Sequence, residues 1–351
     1  MAGIWNFLVG GWTMLIDVLA TAVNAIVPIV LLIGFGYWLR RGGVLSEDFM
    51  KQGNKLMFNY LLPCMLMINT YKIDSFSDIP LGLMGYSLAM VGVNFLVGLA
   101  IIPRLTKDPR RKGVLLQSTF RSNTAVIGIP LAQALGGAAA VATATVSTAI
   151  CVPLLNVLAV ISLTLFVHPG QKVDGRQLLQ SVLRNPLIRG IGLGFVCILL
   201  RTLQRQVLGE VVFTLSGNLK FLYTALSQAG SIATPFALII LGGQFSFSAV
   251  GELRREIAIG TIWREILAPL VGLGGAVLLT KAGLLQVVSA DYPALIALFG
   301  TPTAVSSAAM AAQMDNDTQL ATQLVVWTSI VSIPTLFLTV CVLMLTGLLV
   351  V

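Results

Sequence analysis

The length of its uninterrupted apolar runs constrains this chain most. Residues Ile26–Leu39 and Val331–Val351 contain no charged side chain at all. A helix needs about 20 apolar residues to cross a bilayer, and in hydrocarbon every backbone N–H and C=O must be satisfied internally. Runs of this kind therefore specify membrane helices. A transmembrane β-barrel would instead show segments of about ten residues with alternating polarity, and these runs do not alternate. Composition agrees, since 56% of the 351 residues are hydrophobic and 10% are charged, against about 25% charged in soluble chains. The mean hydropathy is +0.91, and no hydrophilic stretch remains that is long enough to fold as a soluble domain.

Ten spans are predicted, near 18–39, 54–70, 81–103, 113–135, 139–167, 185–201, 222–245, 257–280, 292–313 and 320–349. The net charge of +8 is then a matter of topology rather than of a nucleic-acid partner. Arg40, Arg41, Lys51 and Lys55 fall in the first loop, and Arg104, Lys107, Arg110, Arg111 and Lys112 in the third. Lys172, Arg176, Arg184 and Arg189 fall in the fifth, and Arg254, Arg255 and Arg264 in the seventh. The even loops hold only Lys72, Arg201, Arg205, Lys220 and Lys281. The positive-inside rule makes the odd loops cytoplasmic, which puts both termini outside and Arg121 alone within a span. The N-terminus has no basic n-region, so a cleaved signal peptide is not expected. Residues 1–17, with Trp5, Phe7, Leu8 and Trp12, read as an interfacial segment.

The punctuation of the spans repeats. Pro63 and Pro235 are separated by the same interval as Pro130 and Pro302, which predicts a first five-helix repeat over 18–167, a cytoplasmic linker over 168–183 and a second five-helix repeat over 184–351. An odd number of spans inverts the second copy, the arrangement used by many secondary transporters. Span four carries Arg121-Ser122-Asn123-Thr124 before Gly128-Ile129-Pro130 and the pair Gly136-Gly137, and span nine carries Gly300-Thr301-Pro302-Thr303 before Ser306-Ser307. A proline inside a helix removes a hydrogen bond and clashes with the preceding turn, and glycine weakens the helix further. Both spans are predicted to be broken, with new helices beginning near Pro130 and Pro302. Such breaks are tolerated only where they are buried or line a watery cavity, so a central polar site follows.

The stretch Asn123-Thr124-Ala125-Val126-Ile127-Gly128-Ile129-Pro130-Leu131, with the glycine pair after it, resembles the fourth-helix signature of the auxin efflux carrier family. Pro28 with Gly34-Phe35-Gly36-Tyr37, Asn59–Pro63, Arg184-Asn185-Pro186 and Gln319–Pro334 fall in the order of that family. The resemblance runs from about Ala22 to Val340. It implies an all-α membrane protein of ten transmembrane helices in two inverted five-helix repeats, with broken crossover helices four and nine. It also implies a scaffold of spans one, two, six and seven, a mobile transport domain made of the others, and a homodimer formed through the scaffold. Plant members keep an acid within the third helix, whereas Leu81–Ile102 contains none and Asp78 lies at its edge. Their long cytoplasmic loop is also absent, and both departures point to a small bacterial-type carrier of the inner (plasma) membrane, resembling the malate and malonate carriers.

The residues expected to line the site are Asn123, Thr124, Gly128, Pro130, Thr301, Pro302, Thr303, Ser306 and Ser307. Their amide and hydroxyl groups, with helix N-termini, form a cradle for a carboxylate. Hydroxyls in membrane helices also bond their own backbone or a neighbouring helix, so packing is the competing role for several of them. Arg121 lies about 13 Å along span four from Lys112 at about 1.5 Å per residue. At that depth an ionisable group is a functional candidate by default. It faces an anion beside Asn123, or has a structural or gating role with Glu265 or Asp315 as its partner, or reaches the cytoplasmic interface if the span starts at a shallower depth. Those two acids, placed near span ends, are the candidates for proton coupling, whereas sodium coupling would draw on carbonyl and hydroxyl oxygens.

No HExxH, GxSxG or P-loop pattern is present, so the chain is not expected to be an enzyme or to carry a cofactor. The four cysteines, Cys64, Cys151, Cys197 and Cys341, lie scattered in spans without metal-ligand spacing, and the single histidine, His168, belongs to the linker. Gly190, Gly194 and the Gly272–Gly275 cluster suit close helix contacts. The expected function is a secondary carrier, working by alternating access, for a small organic anion such as a mono- or dicarboxylate. The competing readings are a sodium-coupled carrier of larger amphipathic anions and an intramembrane enzyme acting on lipid.

Overall fold

The computed structural model describes residues 16, 20, 23–24, 27–72, 81–167, 180 and 183–349. The interfacial segment around Trp5–Trp12, Asp78, His168 and most of the linker lie outside them. Among the described residues the chain is helical, with a single isolated bridge in place of any strand. Helix α1 is described over 27–41. Helix α2 runs without interruption through Glu47–Leu56, Met57–Leu61 and Leu62–Tyr71, and α3 is Leu81–Leu105. Helix α4 is Pro109–Phe120, α5 Thr124–Leu165, α6 Pro186–Leu208, α7 Leu215–Asn218 and α8 Lys220–Gln244. Helix α9 is Phe247–Lys281, α10 Tyr292–Phe299, α11 Ser306–Gln313 and α12 Thr318–Leu345. Six of these, α3, α5, α6, α8, α9 and α12, are long and apolar enough to cross a membrane.

Helix starts follow their caps. Asp108 accepts from the Arg110 N–H ahead of α4, Asn185 from the Leu187 N–H ahead of α6, and Asp317 from the Leu320 N–H ahead of α12. Proline holds the first turn of both α4 and α6, where its missing donor costs nothing. Interior prolines act differently from expectation. Met57–Leu61, Thr124–Gly128 and Trp263–Leu267 are π-turns, and each stands just before a proline, Pro63, Pro130 or Pro269. Widening the turn relieves the clash of the ring with the preceding carbonyl. Pro130 therefore sits inside a continuing helix, exposed, and no new helix begins there. Helical geometry in α5 fails instead at Gly136 and Gly137 (φ 60°), a left-handed position suited to glycine. Ala132, Ala140 and Ala144 from the two arms share one apolar cluster with Ala294 and Ala297.

Two groups of helices pack through close backbone approach. A Cβ on Gly36 of α1 would overlap the Ile239 carbonyl of α8, and one on Gly242 would overlap Ile33. Gly190 and Gly194 of α6 fit against Pro63, Met67 and Thr70 of α2, and Gly230 of α8 fits against Met65, so α1, α2, α6 and α8 lock together. In the second group Gly98 of α3 meets Thr119 of α4, Gly272 of α9 meets the Phe299 ring of α10, and Gly275 meets Tyr86 of α3. At one end of this group Arg111 joins α4, α9 and α12 through Glu256 at 3.2 Å and Asp317 at 3.0 Å. Burial opposes the charge of Arg111, yet its bonds to Asp317 and Glu256 hold its pKa above the ordinary arginine value.

Helix α9 corrects two expectations. It is continuous from Phe247, so Arg264 and Glu265 lie deep within a membrane-length helix rather than in a loop or at a span end. They are 1% and 3% exposed. Arg121 is therefore not the only charged residue within the spans.

Candidate functional site

Phe120 ends α4, and Arg121 turns the chain into an extended conformation (φ −87°, ψ 100°). Ser122 forms an antiparallel bridge with Thr303. Around it the Asn123 N–H donates to the Pro302 carbonyl at 2.8 Å and the Ala304 N–H to the Arg121 carbonyl at 3.3 Å. The Thr303 N–H goes to Thr328 Oγ1 of α12 at 3.1 Å. The two chain breaks, at 121–123 between α4 and α5 and at 300–305 between α10 and α11, thus satisfy one another's backbone, as burial in a membrane protein requires. Ser122 and Thr124 share a hydroxyl bond at 2.9 Å, the local polar alternative that draws such residues out of helices.

Arg121 is 3% exposed. Its Nη1 donates to Gln117 Oε1 at 2.9 Å and reaches Ser307 Oγ at 3.5 Å, and it also lies against the Met310 sulfur. Its Nη2 donates to Asn156 Oδ1 at 2.9 Å and Ser306 Oγ at 2.8 Å. All of these acceptors are neutral. Among the described residues no ion pair includes Arg121. Asp315, one of its expected partners, is an exposed loop residue in the left-handed region (φ 53°), and its carbonyl accepts from Arg110 Nε. The other, Glu265, accepts from Thr335 Oγ1 at 3.1 Å.

A cavity of about 630 Å³ opens beside the crossing. Its wall is built from both helix groups. Leu62, Met65 and Asn69 of α2 and Thr234 of α8 face Arg121, Asn123, Thr124, Asn156 and Ser306 across it. The wall contains no aspartate or glutamate among the described residues, and Lys72 sits at its edge. The Asn123 amide nitrogen is buried and has no hydrogen-bond partner, although it belongs to this wall.

Of the residues singled out in the sequence, the structure gathers Arg121, Asn123, Thr124 and Ser306 at the cavity. Gly128, Pro130, Thr301, Pro302, Thr303, Ser307, Glu265 and Asp315 are not among its wall residues. Gly128 packs on Ala297, where a Cβ would come within 2.7 Å, and Thr301 Oγ1 bonds back to the Ala297 carbonyl at 2.8 Å. Pro302 and Thr303 form the backbone pairing, and Ser307 supports Arg121 from behind.

Residues 21–340 match the family described as membrane transport protein. The chain belongs to this family, that of the auxin efflux carriers. No curated protein matches it. The chain is thus a multi-pass membrane transporter.

Several polar groups of the transporter's cavity were not singled out from the sequence. Asn156 lies inside α5 and bonds its own turn through Nδ2 to the Val152 carbonyl, and Asn69, Thr145, Thr148 and Thr234 also line the wall. A signal for Asn156 existed, since an amide within an apolar run such as 150–163 asks for a partner. For the threonines there was none, because a hydroxyl in a membrane helix can close on its own backbone.

Proposed function

We propose that the protein is a secondary carrier for an organic anion, with the substrate carboxylate bound between Arg121 and the Asn123 amide. The observation that carries this reading is the buried guanidinium of Arg121, a residue of a cavity wall that holds no acid among the described residues, bonded only to neutral acceptors. A buried cation of this kind is costly unless a counter-charge reaches it. A carboxylate would supply that charge and would also accept from the unpartnered side-chain Nδ2 of Asn123.

Alternating access fits the division of the helices. The cavity lies between the group α1, α2, α6 and α8 and the group that carries the crossing, so movement of one past the other would expose it to either side. Helix α5 has 42 residues, about 63 Å at about 1.5 Å per residue, and its glycine turn allows it to supply two crossings. In our reading the broken pairs α4–α5 and α10–α11 complete ten spans in two inverted five-helix repeats, and the antiparallel bridge between Ser122 and Thr303 supports it as the contact expected of inverted copies. In this reading both termini lie outside the plasma membrane, and a homodimer forms through the first helix group. The cavity volume and its apolar residues support a second reading, in which the anion carries a larger apolar body.

The test is counterflow in proteoliposomes with labelled malate, malonate, lactate, indole-3-acetate and taurocholate, with and without imposed proton and sodium gradients. Uptake of one acid, abolished by Arg121→Gln and weakened through a higher half-saturation concentration by Asn123→Ala, is the expected result. Normal transport by Asn123→Ala would move the site away from the crossing, and inert behaviour of the folded protein toward every acid would overturn the anion reading.

A further inference from the structure

Helix α10 ends inside the protein, so its last carbonyls need partners other than a following turn. The Ile296 carbonyl takes the Gly300 N–H at 2.8 Å and the Ala297 carbonyl takes Thr301 Oγ1 at 2.8 Å. The Phe299 carbonyl takes Arg264, whose Nη2 donates to it from α9. Arg264 is 1% exposed and absent from the cavity wall. Glu265, next in the chain and 3% exposed, accepts from Thr335 Oγ1. A cation at a helix C-terminus is favourable to the aligned backbone dipoles, and a guanidinium fixes direction as well as charge.

We propose that Arg264 is a positioning residue for the substrate site, holding the bend at 300–305 and, through the Pro302 carbonyl, the Asn123 amide. The proposal rests on Asn123 being a substrate contact. The relay is short. Arg264 holds Phe299 and Pro302 follows three residues later. The Pro302 carbonyl then takes the Asn123 backbone N–H at 2.8 Å, and Asn123 is one of the residues of the cavity wall. Arg264 touches no substrate itself. It places the group that does.

The test compares Arg264→Gln/Glu265→Gln, which leaves no unpaired buried charge, with Glu265→Gln in proteoliposomes. The half-saturation concentration for the transported anion should rise about tenfold with the maximal rate retained, and it should rise no further in an Asn123→Ala background, because residues acting through one another are not additive. Arg264→Lys, which keeps the charge and a donor, should recover most of the affinity. A wild-type half-saturation in the double variant, or an effect that adds in full to that of Asn123→Ala, would overturn the proposal. Amide hydrogen exchange provides a readout that needs no substrate, with 300–305 exchanging faster in the double variant than in Glu265→Gln. If the double variant does not fold, the same measurement on Arg264→Met/Glu265→Gln, which also removes the donor to Phe299, decides, and unchanged exchange at 300–305 overturns the proposal. If no anion is carried by the wild type, the substrate reading fails while exchange still reports whether Arg264 holds the bend.

Discussion

The Asn123 N–H and the Pro302 carbonyl, 2.8 Å apart, join the two chain breaks of this transporter into one unit. Neither break is satisfied alone, and Thr328 of α12 completes the pairing by accepting the Thr303 N–H. Thr328 is fully buried. Thr328→Val should therefore leave that N–H without a partner and cost about 1–3 kcal/mol. Thermal unfolding in detergent should show a lower midpoint for Thr328→Val and a near wild-type midpoint for Thr328→Ser. Equal midpoints for valine and wild type would mean that the Thr303 amide finds another acceptor.

Gly128 faces Ala297 so closely that an added Cβ would lie 2.7 Å from the Ala297 Cβ and 2.9 Å from its Cα. The neighbour on this side is backbone and cannot rotate away. Gly128→Ala should push α5 from α10 and cost about 1–3 kcal/mol by overpacking, lowering both the unfolding midpoint and the transport rate. Gly274, with open space around its Cβ position, is the control at which alanine should be tolerated. An unchanged midpoint in Gly128→Ala would show that the two helices separate without penalty.

Much of this architecture is legible in the sequence because membrane helices announce themselves by composition. The apolar runs placed helices well, and Gly190 and Gly194, read as residues for close helix contact, do pack closely, against α2. The break in span nine lies where it was expected, around Gly300 and Pro302, whereas that in span four was placed to the span but not to the residue. Proline was taken as the breaker, yet Pro130 is absorbed by a π-turn, and the chain opens at Arg121-Ser122-Asn123, which contains neither proline nor glycine. What opens it there is the facing segment at Thr303, a contact between distant parts of the chain that no local pattern reveals. Arg264 and Glu265 were misplaced for a related reason. Helix α9 begins ten residues before the expected span at 257, so a pair read as near the loop is buried against Phe299 and Thr335.

Arg111 holds α4, α9 and α12 together through Glu256 and Asp317, with its own side chain 27% exposed. Partly exposed pairs contribute about 0.2–1 kcal/mol each and are weakened by salt. Arg111→Met should lower the unfolding midpoint slightly in dilute buffer, and the difference from wild type should shrink in molar salt. A difference that persists unchanged in high salt would assign the effect to lost side-chain packing instead of charge.

Arg121 spreads its two terminal nitrogens between separate acceptors, Nη1 toward Gln117 and Ser307 and Nη2 toward Asn156 and Ser306. These come from α4, α5 and α11, so the guanidinium ties both sides of the crossing while presenting charge to the cavity. Lysine retains the charge but has a single nitrogen and a stronger hold on water, and it cannot reproduce this fork. If charge alone mattered, Arg121→Lys would transport normally. The fork predicts instead that Arg121→Lys raises the half-saturation concentration by roughly tenfold or more, since hydrogen bonds to a charged group contribute about 1.5–3 kcal/mol. Asn156→Ala should produce a smaller loss in the same direction, because it removes one acceptor and leaves the charge in place. Counterflow measured across a range of substrate concentrations separates these cases, and a wild-type half-saturation in Arg121→Lys would reduce the role of Arg121 to a point charge.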